Sequence, residues 1–260
     1  MNYSNECPFC TETRYINNKL ANLPAEEAIL FENEDIYVRV DISPLCLGHI
    51  LIITNKHYLN FFEIPKEMKI QVNKIKEKIK EVYKEIYNSD VLFFEHGSAQ
   101  SGYAGASIDH AHLHCIPYKF DLTESLNREL GQAEECDILS PEKHFNNEFS
   151  YIYIESEKNG NKIYRVERLP SQFLRRLAFE KQGSQEYKWQ EKCITLDSVK
   201  HLKQTIEDLK DKDERTRIQQ YCGKFIRYIE SKDYDKAYAL LYPDFKNNYF
   251  PTEEDFAKYA

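Results

Sequence analysis

Three histidines alternate with apolar residues in one short run of the chain. His110, His112 and His114 are separated by Ala111 and Leu113. The run belongs to a stretch rich in apolar and β-branched residues, which predicts a β-strand. Successive side chains of a strand point to opposite faces of the sheet. We therefore expect the three imidazoles to share one face, where they can bind a phosphate, act as a nucleophile or hold a metal ion.

Coincidence and a pure metal cluster are alternatives to a catalytic triad. Histidine makes up 8 of 260 residues, so an alternating triplet arises by chance in roughly one chain in a hundred. Alternating histidines also serve zinc and iron sites. The residues around the triplet favour catalysis.

These surrounding residues resemble the signature of the histidine-triad (HIT) superfamily of nucleotide hydrolases and transferases. The triplet continues as Cys115-Ile116-Pro117, in the pattern His-apolar-His-apolar-His-apolar-apolar. Upstream, Asp41-Ile42-Ser43-Pro44 and the segment 48–57 resemble a second block, and Gly105-Ala106-Ser107 precedes the triplet. The resemblance covers roughly residues 5 to 120. It implies an α+β fold, a mainly antiparallel sheet with a flanking helix.

The resemblance also implies a covalent mechanism at a nucleotide α-phosphate. His112 would be the nucleophile and form a nucleotidyl-imidazole, and His114 would bind phosphate oxygens. Ser107 and loop N–H groups would stabilise charge on the phosphoryl oxygens. His110 would orient the strand and anchor a metal ion, and the scheme requires no catalytic metal. The implied nucleotide contacts are Asp41 at the ribose, Ile42 near the base, and Gly105, Ser107 and His114 at the phosphate.

The glycine-rich loop 97–107 departs from the family pattern. Glu95 or His96 stands where an asparagine often opens the loop, and Ala106 replaces a glutamine. The loop is a phosphate cradle or, in the blander interpretation, a flexible connector. Alternatives to a hydrolase are therefore a nucleotidyltransferase, a non-catalytic nucleotide-binding module, and a metalloenzyme with the histidines as ligands. The intact His114, where related uridylyltransferases have glutamine, favours hydrolysis.

Cys7 and Cys10 have the spacing of metal ligands. A redox pair and two ordinary thiols are alternatives. Zinc-containing HIT-like proteins have a similar pair, and the resemblance implies Cys7, Cys10, His57 and His110 as the ligands of one structural zinc ion per chain. His49 competes with His57 for the third position.

The composition predicts a cytoplasmic enzyme with reduced cysteines. The chain has 35 basic and 43 acidic residues, a net charge of −8, so we expect no nucleic-acid partner. No apolar run reaches the length of a membrane span, and the N-terminus lacks a signal-peptide layout. The expected partners are a nucleotide or dinucleotide substrate and a second copy in a homodimer.

Three regions are expected: a HIT-like catalytic domain over 1–120, a hairpin-plus-helix extension over 121–194, and a helical tail over 195–260. Predicted strands lie at 28–31, 36–40, 50–54, 91–95, 151–155 and 162–166, and predicted helices at 65–87, 120–131, from 170 onward, 195–212, 213–231 and 233–242. Gln172, Arg175 and Arg176 could close over a substrate phosphate. The alternative for the arginines is a solvated helix face. For the tail we expect a packing or interaction role.

Overall fold

The computed structural model describes residues 7–10, 28–99, 108–118, 121–140, 149–167, 169–170, 172–181, 198–209, 225, 228–229, 231–239, 241, 246 and 249–259. The chain forms two compact units, Met1–Asp208 and Leu209–Ala260.

One eight-stranded sheet organises the first unit. Its strands are β1 Ile29–Glu32, β2 Ile36–Val40, β3 Ile50–Thr54, β4 Val91–Gly97, β5 His112–Pro117, β6 Glu134–Glu135, β7 Ser150–Ser156 and β8 Gly160–Val166. Their spatial order is β1-β2-β3-β5-β4-β7-β8-β6, and every neighbouring pair is antiparallel. The α+β class with a mainly antiparallel sheet is confirmed. β3 is buried along its whole length, as its apolar run predicts. β2 is also buried throughout, including its charged residue Arg39.

A long amphipathic helix, α1 Lys66–Tyr87, covers one face of the sheet. Met68, Val72, Ile79 and Tyr83 are among its buried residues, at the spacing of one helical stripe. The helix begins directly after Pro65 and ends at Asn88, which adopts a left-handed conformation with φ of 46°. Asparagine tolerates that conformation better than most residues.

The extension continues the sheet of the HIT-like region. β7 pairs with β4 from Phe93↔Glu155 to Gly97↔Tyr151, so β4 is not an edge strand of the sheet. The predicted boundary at residue 120 thus falls within one continuous sheet. Helices α2 Thr123–Leu130 and α3 Phe173–Lys181 pack on the face opposite α1. Their shared core includes Leu92, Phe94, Ile116, Leu126, Ile152, Ile154, Tyr164, Phe173, Leu174 and Leu177.

The predicted tail is mostly helical where the structure describes it. Helix α4 covers 198–209, and the Gly48 N–H donates to Thr205 Oγ1 in it at 2.9 Å. In the second unit, α5 spans Tyr234–Ala239 and α6 spans Glu253–Tyr259. Phe256 is buried there, with its ring 5.5 Å from that of Phe250. The helix predicted over 213–231 lies mostly outside the described residues.

Element boundaries differ from the predictions by a few residues. The predicted helix over 120–131 spans 123–130, and the hairpin strands each extend by one or two residues. The short strand β6 and the helix α6 were not predicted. No described helix is both long and apolar enough to cross a membrane.

Candidate active site and metal centre

β5 carries the second and third histidines of the triplet. His112 and His114 lie two residues apart in the strand, so their side chains share a face. Their rings are 5.0 Å apart. His110 precedes the strand, and its ring contacts cysteines near the N-terminus instead. The predicted alternation therefore holds for His112 and His114, while His110 serves a different cluster.

The backbone fixes the tautomer of His112. Its Nδ1 lies 2.5 Å from the carbonyl oxygen of His110. A carbonyl can only accept a hydrogen bond, so Nδ1 carries the proton and Nε2 keeps its lone pair. Burial lowers the pKa of His112 below its ordinary value, despite this hydrogen bond. The ring is therefore neutral near pH 7, which is the nucleophilic form of imidazole.

His114 is held by a stacked ring and by a second histidine. Its ring stacks on Phe94 at 4.4 Å and 8°. Leu45 N–H donates to His49 Nδ1 at 3.0 Å, so the proton of neutral His49 resides on Nε2. That atom lies 2.8 Å from His114 Nδ1. His49 therefore donates to Nδ1 of His114, which leaves His114 with an Nε2–H donor.

A glycine positions His49. Gly48 has φ of 83°, a left-handed conformation that favours glycine. A Cβ at this position would lie 2.8 Å from the Tyr87 ring and 2.9 Å from Pro117. The Gly48 carbonyl accepts a hydrogen bond from Tyr83 Oη. Gly48 thus allows its loop to pack closely against α1, and this packing places His49 at the site.

Asp41 lies beside the two histidines. Its Oδ2 is 3.5 Å from His49 Nε2 and 3.9 Å from His114 Nδ1. Arg175 of α3 places NH1 3.0 Å from the same oxygen, while Ser43 N–H donates to Oδ1 at 2.7 Å. Burial alone would raise the pKa of Asp41, but Arg175 and its other partners hold it well below its usual range. The carboxylate is therefore ionised.

A second cluster gathers Cys7, Cys10, His57 and His110, whose ligand atoms all lie within 4.8 Å of one another. Nδ1 of His110 is 3.3 Å from Cys7 Sγ and 3.7 Å from Cys10 Sγ. Nδ1 of His57 is 3.5 Å from Cys10 Sγ. On one tetrahedral zinc ion, a thiolate sulfur and an imidazole nitrogen lie about 3.6 Å apart. The spacing of the four residues fits zinc.

The environment of His110 also suits a metal ligand. Its Nε2 lies 2.7 Å from the carbonyl oxygen of Thr54, so the proton resides on Nε2 and the Nδ1 lone pair faces the sulfurs. Metal-bound histidines commonly have such a partner on the other ring nitrogen. Burial, and then the Cys7 sulfur, raise the pKa of Cys10 to about 12, so this thiol keeps its proton unless a cation stabilises the thiolate.

The group of Asp41, His49 and His114 does not have the spacing of a metal site, although their polar atoms lie within 4.8 Å of one another. His49 Nε2 and His114 Nδ1 are 2.8 Å apart, whereas two imidazole nitrogens on one tetrahedral zinc ion lie about 3.4 Å apart. They are joined by a direct hydrogen bond. His49, the alternative to His57 as a zinc ligand, therefore pairs with His114 instead, and we call these two residues the histidine pair. Among the described residues, the three triad histidines form no single ligand cluster.

The remaining predicted site residues lie in different environments. Ile42 is half-buried next to Asp41, and Gln172 adopts φ of 63° directly before α3. Arg176 pairs with Glu129 and Glu180 at the surface, which corresponds to the solvated helix face. Gly105 and Ser107 lie outside the described residues.

Sequence reasoning missed three contacts of the site. Phe94 supports His114 from the neighbouring strand, and Phe9 contacts the His112 ring at 5.1 Å. The sequence suggests His49 as an alternative zinc ligand, whereas in the structure it is hydrogen-bonded to His114. Two features of the sequence indicate these contacts. Phe9 lies between the two cysteines of the metal cluster, and Gly48 directly precedes His49.

Comparisons with known proteins identify relatives of this chain. The model of the HIT domain matches residues 22–121. A HIT-like protein of Methanocaldococcus jannaschii is 30% identical over 112 residues, which cover 43% of this chain and 78% of that protein. A HIT-like protein of Borreliella burgdorferi is 27% identical over 139 residues, 51% of this chain and 94% of that protein. A crystal structure of a HIT-like protein from Bartonella henselae is 25% identical, with a TM-score of 0.34, and the match covers 46% of this chain and 85% of that one. The chain belongs to the HIT family.

Proposed function

We propose that this protein hydrolyses nucleotides at the α-phosphate through a covalent intermediate on His112. The observation that carries the proposal is the bond between His112 Nδ1 and the His110 carbonyl. It leaves the Nε2 lone pair available on a buried, neutral imidazole. Imidazole is both a nucleophile at neutral pH and a good leaving group. Membership of the HIT family supports the same reaction class.

The reaction has two steps, formation of the nucleotidyl-histidine and its hydrolysis. First, His112 Nε2 forms a bond to the α-phosphorus, and the bond from phosphorus to the leaving group breaks. The leaving group departs with the electron pair and takes up a proton. Water then attacks the phosphorus and loses a proton, and the nitrogen–phosphorus bond breaks with its electrons returning to Nε2. The products are a nucleoside monophosphate and the released group. A transferase would differ only in replacing water by another acceptor.

The neighbouring residues would bind and orient the substrate. His114 presents its Nε2–H donor because His49 Nε2–H donates a hydrogen bond to His114 Nδ1, so it suits a phosphate oxygen. The resemblance assigns Asp41 to the sugar, Ile42 to the base, and Gly105 and Ser107 to the phosphate. These roles are part of the proposal.

We also propose one structural zinc ion per chain, held by Cys7, Cys10, His57 and His110. Their mutual distances and the Thr54 partner of His110 support this assignment. Zinc at this position would tether the N-terminal cysteines to the segment that leads into β5 and so fix the orientation of His112. It would contribute to folding.

A substrate panel tests the proposal. The zinc-loaded full chain is incubated with nucleoside phosphoramidates, dinucleoside polyphosphates and nucleoside diphosphates, and products are separated by chromatography. Alkaline quenching, which preserves phosphohistidine, followed by peptide mass spectrometry locates the adduct. We expect release of nucleoside monophosphate and one nucleotidyl group on the peptide that contains His112. Absence of turnover on every substrate, or an adduct on a different residue, would contradict the proposal.

A further inference from the structure

Arg175 reaches the histidine pair from outside the HIT domain. It lies in α3, beyond the residues 22–121 that match the domain model. NH1 is 3.0 Å from Asp41 Oδ2, and NH2 donates to the Ser43 carbonyl. The side chains of Arg175 and Asp41 are only 13% and 7% exposed. The extension thus inserts a buried cation next to the site.

Asp41 Oδ2 and His114 Nδ1 compete for the hydrogen bond that His49 Nε2–H donates. His49 Nε2–H has two acceptors in reach, His114 Nδ1 at 2.8 Å and Asp41 Oδ2 at 3.5 Å. A carboxylate is the stronger acceptor, because hydrogen bonds to ionised groups are roughly twice as strong as neutral ones. In the structure, His114 Nδ1 nevertheless lies nearer to His49 Nε2 than Asp41 Oδ2 does. Arg175 accounts for this arrangement by engaging Oδ2 itself.

We propose that Arg175 is a positioning residue that holds Asp41 away from His49, so that His49 donates to His114. The inference rests on the proposed function for its catalytic meaning, but its structural content does not depend on any substrate. Without the guanidinium, Asp41 would accept the hydrogen bond from His49 Nε2–H, and His114 would lose the donor that fixes its tautomer. The extension is then part of the catalytic unit.

The test measures the His114 tautomer directly, by long-range 1H–15N correlation on the zinc-loaded full chain labelled in histidine. We expect the wild type and Arg175→Lys, which keeps the charge, to show the proton on Nε2. Arg175→Met is expected to show a mixture of tautomers. Arg165→Met, on an exposed arginine paired with Glu134, is the control and should match the wild type.

Arg175→Met leaves a buried carboxylate uncompensated and can fail to fold. The double variant Asp41→Asn with Arg175→Met removes both charges and is expected to restore the Nε2–H tautomer. A wild-type proton on Nδ1, an unchanged tautomer in folded Arg175→Met, or loss of the Nε2–H form in the double variant would overturn the inference. Because the readout needs no substrate, it can succeed or fail independently of nucleotide turnover.

Discussion

His49 Nε2 lies 2.8 Å from His114 Nδ1, and the other nitrogen of His49 accepts a hydrogen bond from Leu45 N–H. The direction of the histidine–histidine bond is therefore set by the backbone. A proton on Nε2 of His49 leaves His114 with its own Nε2–H donor.

Two substitutions at His49 separate the two hydrogen bonds. His49→Asn keeps an acceptor for Leu45 N–H but loses the donor to His114, whereas the longer amide in His49→Gln can still reach His114. We expect kcat to fall about fivefold in His49→Asn, since a neutral hydrogen bond contributes about 1 kcal/mol and 1.4 kcal/mol is a factor of ten. His49→Gln should lose less. Steady-state kinetics checks this, and equal losses in both variants would contradict a role for the hydrogen bond from His49 to His114.

The metal cluster predicts a specific zinc content. Purified protein should contain about one equivalent of zinc, as a Cys₂His₂ site requires. Cys7→Ser should lower both the zinc content and the Tm, because binding of structural zinc contributes to the free energy of folding. Cys136→Ser, at a buried cysteine outside the cluster, should keep its zinc. Metal analysis and thermal melts measure both. Full zinc occupancy in Cys7→Ser would refute the assignment.

Gly48→Ala should destabilise the protein more than Gly160→Ala. Both glycines have positive φ, 83° and 64°, so each alanine incurs backbone strain of about 1 kcal/mol or more. Only at position 48 does the new methyl group meet neighbours, Tyr87 and Pro117, below 3.0 Å. Denaturant unfolding of the two variants gives the difference in the free energy of unfolding. Equal losses would show that the loop relaxes around position 48.

Glu95 makes stability depend on pH. Burial raises the pKa of this carboxyl to about 8, despite hydrogen bonds from Tyr151 and Phe61 N–H. Between its ordinary pKa and pH 8, the folded protein holds a proton that the unfolded chain releases. The contribution of Glu95 to stability is therefore present at low pH and is lost as the pH rises, with a slope of up to about 1.4 kcal/mol per pH unit.

Glu95→Gln removes this titration. The free energy of unfolding of the wild type minus that of the variant should fall from pH 5 to pH 9, as measured by denaturant unfolding. A difference that is constant over this range would show that Glu95 is ionised in the folded state.

Much of the fold could be predicted from local patterns. The apolar run of β3 and the amphipathic stripe of α1 are long enough to define these elements. The pairing of β7 with β4 could not be predicted, because strand partners distant in sequence leave no local pattern. The short β6, with two exposed glutamates, is formed only because β8 lies beside it.

The site shows the same division. The four zinc-cluster residues were predicted through the family resemblance, and the structure brings them together. For Arg175 the sequence left two interpretations, a contact to a substrate phosphate or a solvated helix face. The phosphate contact stays a prediction, and in the structure Arg175 is mostly buried and pairs with Asp41. Its partner lies 134 positions earlier in the chain, and only the packing of α3 on the sheet brings the two together. Charge at position 175 was visible in the sequence, and its partner was not.

Turnover by His112→Asn tests the central claim most directly. The substitution removes the nucleophilic nitrogen, so we expect kcat/KM to fall by at least about 10³-fold on every substrate that the wild type hydrolyses. Its Tm and zinc content should stay near those of the wild type. His201→Asn, at a histidine of α4, is the matched control and should retain full turnover. Near-normal turnover by His112→Asn would contradict a covalent mechanism through this residue.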